Sequence, residues 1–125
     1  MTFTQNKTIL LAENDRSARE VTAMVLEAEG YRVITAGDGT SALRIFQEDA
    51  SVGLLLSDIH MPGGIDGIEL AKRVQNTRTI SIVLVSADPR SSFEDFPDGV
   101  TFLRKPYDRR MLLAALDSLP WPTAA

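Results

Sequence analysis

The stretch LLLSDIHMPGG, Leu54 to Gly64, begins as an apolar run and ends in a turn. Leu54, Leu55 and Leu56 read as a strand covered on both faces, as strands of a parallel sheet are. Pro62, Gly63 and Gly64 break regular structure. Between them stands Asp58, a carboxylate at the tip of a buried strand. A charge at that depth needs partners or a job.

Four other apolar runs accompany this one: TILLA (8–12), YRVIT (31–35), ISIVLV (80–85) and VTFL (100–103), with the central run itself read as VGLLLS (52–57). YRVIT alternates more than the others, as a strand nearer a sheet edge does. Helical patterns lie between. Ser17 and Glu20 have the spacing of a capping box, and Val21, Met24, Val25 and Ala28 follow on one face. Residues 40–49 give a second helix with Leu43 and Phe46 inward, and 66–76 a third with Ile68, Ala71 and Val74. Asp108 can cap a last helix carrying Leu112, Ala115, Leu116 and Leu119, stopped by Pro120. The segment 88–99, DPRSSFEDFPDG, has no helical stripe. A fourth helix there is expected to be short or irregular, at most one turn pinned by Phe93 and Phe96, with the segment mobile.

Strands alternating with helices imply an α/β domain with a parallel sheet and helices on both faces. Right-handed crossovers bring the carboxyl ends of all strands to one edge, where ligands bind such sheets. A chain of 125 residues suits one domain, 1–125, with its core at about 7–119 and a tail at 120–125. The absence of cysteine excludes disulfides and thiolate chemistry. A single histidine excludes a two-histidine metal site, and a net charge of −4 without a basic cluster argues against nucleic acid. No apolar run has the length of a membrane span, and the polar start MTFTQNK is unlike a signal peptide. The expectation is a cytoplasmic protein with no membrane or nucleic-acid partner.

The strand ends carry chemistry. Glu13, Asn14 and Asp15 follow the first strand, Asp58 the third, Ser86 the fourth, and Lys105 with Pro106 the fifth. Carboxylates, carbonyls and waters suit a hard cation such as magnesium, and lysine serves phosphate as a point charge. At ILLAEN (9–14), LLLSDIHMPGGIDGIEL (54–70), VLVSA (83–87) and FLRKPY (102–107) the chain resembles the receiver domain of bacterial response regulators. The likeness covers almost the whole length, and the motifs stand in the family's order.

That resemblance implies a flavodoxin-like, doubly wound five-stranded sheet of order 2-1-3-4-5. It makes Asp58 the phosphoacceptor, served by a histidine kinase or a phosphotransfer protein. Ser86 and Lys105 would hold phosphoryl oxygens. Magnesium would lie on Glu13, Asn14, Asp58 and the main-chain carbonyl of His60. The Lys105–Pro106 bond would be cis, and Ser86 and Phe102 would form the switch. Asn14 departs from the family, which usually has an acid there, so magnesium binding is expected to be weak. Asn14 otherwise reads as a cap of the first helix.

Three functions compete at this level. The first is a stand-alone receiver whose output is an unknown protein target or the draining of phosphate. The second is a receiver-fold adaptor independent of phosphorylation. The third, a phosphotransferase enzyme with an aspartyl nucleophile, ranks last. Such enzymes usually carry a second acid two residues after the first, where this chain has His60. A signalling domain rather than an enzyme is the expectation.

Overall fold

The computed structural model describes residues 7–122. Five parallel strands, β1 (Thr8–Ala12), β2 (Arg32–Ala36), β3 (Val52–Asp58), β4 (Ser81–Ser86) and β5 (Thr101–Arg104), form one sheet in the order β2-β1-β3-β4-β5. The helices are α1 (Arg16–Ala28), α2 (Gly39–Glu48), α3 (Gly67–Thr77) and α4 (Arg109–Asp117). This is the doubly wound, flavodoxin-like arrangement, with β2 at an edge as its alternating pattern suggests.

The apolar runs are continuous because the two faces of the sheet are both covered. Leu10, Leu55, Ile82 and Leu84 point to one cluster, with Phe46 of α2 and Leu70, Ala71 and Val74 of α3. Their chain neighbours Ile9, Leu11, Leu54, Leu56, Val83 and Val85 point to the other, with Leu26 of α1 and Leu112 and Leu116 of α4. A period of two through a fully buried strand leaves no polar face to expose.

The first helix differs from its sequence reading. Asp15 is the cap, its carboxylate accepting from the Ala18 amide at 2.7 Å, while Glu20 pairs with Arg16 on the surface. Val21 and Met24 are 60% and 68% exposed, and the helix instead buries Leu26, with Ala23 and Val25 packed beside it. Ala23 is a weak signal in a hydrophobic count, yet a small residue lets a helix lie close to a sheet. Of the apolar stripe Val21, Met24, Val25 and Ala28, only Val25 packs inward.

Between β4 and β5 the only helical structure is a single 3₁₀ turn, Arg90–Ser92. A short, irregular fourth element was expected, and the two prolines account for it, since Pro89 opens the turn and Pro97 closes off any extension. Phe93 and Phe96 lie beyond the turn and pack against the Phe102 ring, at 6.4 and 5.9 Å between centroids. The segment is tied to α3 by the Lys72–Asp95 ion pair and by Gln75 Nε2, which donates to the Asp98 carbonyl.

Pro120 to Pro122 return to the sheet at the end away from the site. Trp121 stacks on Tyr31 at 5.7 Å and covers Gly53, where a Cβ would stand 2.9 Å from its ring. Ser81 Oγ donates to the Pro120 carbonyl. Residues 1–6 and 123–125 lie outside the described residues.

Candidate functional site

Each residue singled out at the strand ends stands at or just past the end of its strand, and the sheet fixes its backbone. The Glu13 amide donates to Ala36 O of β2 at 3.1 Å, and the Ile59 amide to Val85 O of β4 at 2.9 Å. The Lys105 amide donates to Ser86 O, also at 2.9 Å. Asp58 is paired in register with Val85, one residue before Ser86. The peptide bond Lys105–Pro106 is cis.

The loop after β3 is shaped by glycine. A Cβ on Gly67 would stand 2.1 Å from the Asp58 carbonyl oxygen, so only glycine lets α3 start against the end of β3. The Gly67 amide donates to Ile59 O at 2.8 Å, completing that close approach. Gly63 and Gly64 turn the chain with φ of 78° and 143°, values that favour glycine.

Three side chains meet at this edge. Lys105 Nζ lies 2.9 Å from Asp58 Oδ1 and 3.5 Å from Glu13 Oε1. Glu13 is buried, and its other oxygen accepts from the Asp15 amide at 3.0 Å. Burial pushes the Asp58 carboxyl up to about 7, with the neighbouring Glu13 adding to the shift and Lys105 opposing it. Burial would raise Glu13 too, but hydrogen bonding to Asp58, the Asp15 amide and Lys105 hold it below its ordinary value. The Lys105 ammonium, though desolvated, is raised by its two carboxylate partners. Two acids thus face one ammonium, and the surplus negative charge favours a proton on the Asp58 carboxyl.

Such a donor set fits a hard divalent cation, which would take the place of that proton between two carboxylates. Among the described residues no group of three acidic or imidazole side chains is placed to hold a metal ion. Asp15 contributes none because its carboxylate caps α1. Asn14 is exposed beside Glu13, and its main-chain carbonyl, like that of Glu13, accepts from Arg19.

Ser86 is buried, and its Oγ accepts from the Asp88 amide at 3.0 Å. Phe102 is not at the site; it packs in the core behind it, under Phe93 and Phe96. Sequence reasoning missed Arg19, which braces the acidic loop with a 2.8 Å bond to Glu13 O. It also missed Asp88, whose carboxylate meets the His60 ring at 2.9 Å. Arg19 sits six residues from its partner and Asp88 twenty-eight, so only the first separation lay within reach of a local pattern.

The family model for the response regulator receiver domain matches residues 9–117, and the chain belongs to that family. Receiver domains are signalling domains of two-component systems, in which an aspartyl phosphate and Mg²⁺ are standard and the partners are histidine kinases or phosphotransfer proteins. Transcriptional regulatory protein CseB of Streptomyces coelicolor is 31% identical over 113 residues, 86% of this chain and 47% of CseB. Transcriptional regulatory protein CpxR of Escherichia coli is 34% identical over 116 residues, 89% of this chain and 48% of CpxR. The chain thus spans about half the length of these curated relatives. Among solved structures, the receiver domain of the hybrid histidine kinase CckA superposes with a TM-score of 0.75 at 38% identity, covering 88% of this chain and 95% of that one. Among the described residues no helix is long and apolar enough to cross a membrane.

Proposed function

We propose that this receiver accepts a phosphoryl group on Asp58 from the phosphohistidine of a histidine kinase or phosphotransfer protein. The observation that carries the reading is the meeting of Asp58, Glu13 and Lys105 at the carboxyl edge of the sheet, beside Ser86. Asp58 first gives up its proton to solvent water. Its free oxygen then attacks phosphorus, the P–N bond to the donor imidazole breaks, and the electron pair leaves with the imidazole nitrogen. Lys105 neutralises the phosphoryl oxygens as a point charge, and the Ser86 hydroxyl donates to another. Glu13, Asp58, the Asn14 side-chain amide and the His60 main-chain carbonyl would hold magnesium. When bound, the ion neutralises charge shared by acceptor and phosphoryl oxygens. With Asn14 where the family usually has an acid, that binding is weak.

The output proposed is contact with a protein target, or the draining of phosphate from a kinase, without nucleic acid and without a further enzymatic activity. Asn14 favours one second reading, an adaptor of receiver fold that works unphosphorylated. Incubation with acetyl phosphate and magnesium separates them. The first reading expects a mass gain of one phosphoryl group that is absent in Asp58→Asn and Asp58→Ala. Undiminished labelling of both variants would overturn the assignment of Asp58, and no labelling of the parent by acetyl phosphate or any kinase would favour the adaptor.

A further inference from the structure

We propose that His60 is a positioning residue for the Ser86 hydroxyl, acting through Asp88. The inference deepens the phosphoacceptor reading and rests on it. His60 stands two residues after Asp58, and Asp88 two residues after Ser86. Their side chains meet at 2.9 Å, joining the loop after β3 to the loop after β4, the two loops that carry Asp58 and Ser86. The Asp88 amide in turn donates to Ser86 Oγ at 3.0 Å. A hydroxyl that accepts from an amide keeps its own hydrogen for a different acceptor. Fixing the Asp88 backbone therefore fixes which lone pair of Ser86 is used and where its hydrogen is free to point.

An exposed pair alone has little hold on a backbone. This one is braced. The His60 ring lies 5.6 Å from the Phe93 ring, and Phe93 packs on Phe102 in the core. The imidazole thus has the Phe93 ring on one side and Asp88 on another, which lowers the cost of ordering it. Substituting His60 leaves its main-chain carbonyl in place, which separates this role from metal binding.

The test is amide exchange at Asp88 in the full chain, without phosphodonor or metal. His60→Ala and Asp88→Ala should each speed exchange of the residue-88 amide, relative to its intrinsic rate in that variant, about two- to fivefold, the range an exposed pair supports. The double variant should be no faster than either single one, since both remove the same tie. His60→Gln, which keeps a donor for Asp88, should restore most of the protection. The initial rate of phosphoryl acceptance should fall in the same order. Unchanged exchange in His60→Ala, or additive effects in the double variant, would overturn the proposal. A parent protein that takes up no phosphoryl group would instead sink the phosphoacceptor reading, while the exchange cycle would still decide whether His60 positions Ser86.

Discussion

Lys105 Nζ stands 2.9 Å from Asp58 Oδ1, and the same ammonium is 3.5 Å from Glu13. It is the one cation in contact with both acids among the described residues. Its removal leaves two carboxyls facing each other with only a proton between them. Lys105→Met should slow phosphoryl acceptance from acetyl phosphate roughly tenfold or more, the loss of a charge-assisted bond of ~1.5–3 kcal/mol. Initial rates at fixed donor concentration measure this, and a rate equal to the parent's would count against a role for Lys105.

The raised Asp58 carboxyl makes stability depend on pH in an unusual direction. Its folded value of about 7 exceeds the ordinary 3.8, so between these the folded state binds a proton that the unfolded state does not. Metal-free stability should therefore fall as pH rises from about 4 to about 7. Glu13 acts in the opposite sense but at lower pH, since its depressed value favours folding above its ordinary 4.5 and loses that contribution on acidification. Asp58→Asn removes the first effect. It should raise metal-free stability at neutral pH by on the order of 1 kcal/mol, after allowance for screening, and flatten the slope. Urea unfolding at pH 5 and pH 7.5 in chelator decides between the two slopes.

Asn14→Asp restores the acid that the family usually has. A third carboxylate strengthens attraction for a hard dication and repels its neighbours when the ion is absent. Magnesium affinity should rise roughly tenfold, about 1.4 kcal/mol, while metal-free stability falls. Calorimetric titration measures the first effect and unfolding in chelator the second. Equal affinities would show that the amide already coordinates as well as a carboxylate.

How much of this was legible in the sequence depended on separation along the chain. The strands were readable because Leu54 to Leu56 and Ile82 to Val85 are apolar at every position, which only two covered faces allow. The strand-end residues were readable because a parallel sheet sends Glu13, Asp58, Ser86 and Lys105 to one edge whatever the helices do. Helix faces were harder: in α1 Leu26, Val25 and the small Ala23 pack inward while Val21 and Met24 face solvent. The cap was misplaced because Asp15 and Ser17 both suit the position, and only the path of the backbone out of β1 chooses between them. Contacts such as His60–Asp88 and Tyr31–Trp121 join distant segments and leave no local pattern.

Gly67 is where the fold and the site constrain each other most tightly. An added methyl would meet the Asp58 carbonyl at 2.1 Å and the Ile59 backbone at 2.8 Å, and backbone does not give way as a flexible side chain would. Gly67→Ala should cost ~2–3 kcal/mol of stability and displace Asp58 from Lys105. Gly63→Ala is the contrast. Its methyl meets nothing, so its smaller cost is that of a left-handed backbone, about 1 kcal/mol. Denaturant unfolding gives both values, and a reversed order would mean that α3 can shift away from β3 at little expense.

The segment 88–99 is held by side chains rather than by its backbone. Within 89–99 the backbone hydrogen bonds are Ser92 N to Pro89 O and Phe93 N to Arg90 O. Its anchors are Phe93 and Phe96 against Phe102, the Arg90 guanidinium 4.1 Å from the Phe96 ring, and the ties to α3. Amides without backbone partners exchange readily even where the side chains are packed. Exchange at 94–99 should therefore be faster than in α3, and a stable phosphoryl mimic at Asp58 should slow it, because Ser86 and Asp88 lead directly into the segment. Phe96→Ala should speed it further and cost about 1–3 kcal/mol through the lost edge-on contact and the cation–π partner. Exchange as slow as in α3, unaltered by the mimic, would mean that the segment is a fixed cover over Phe102 and takes no part in signalling.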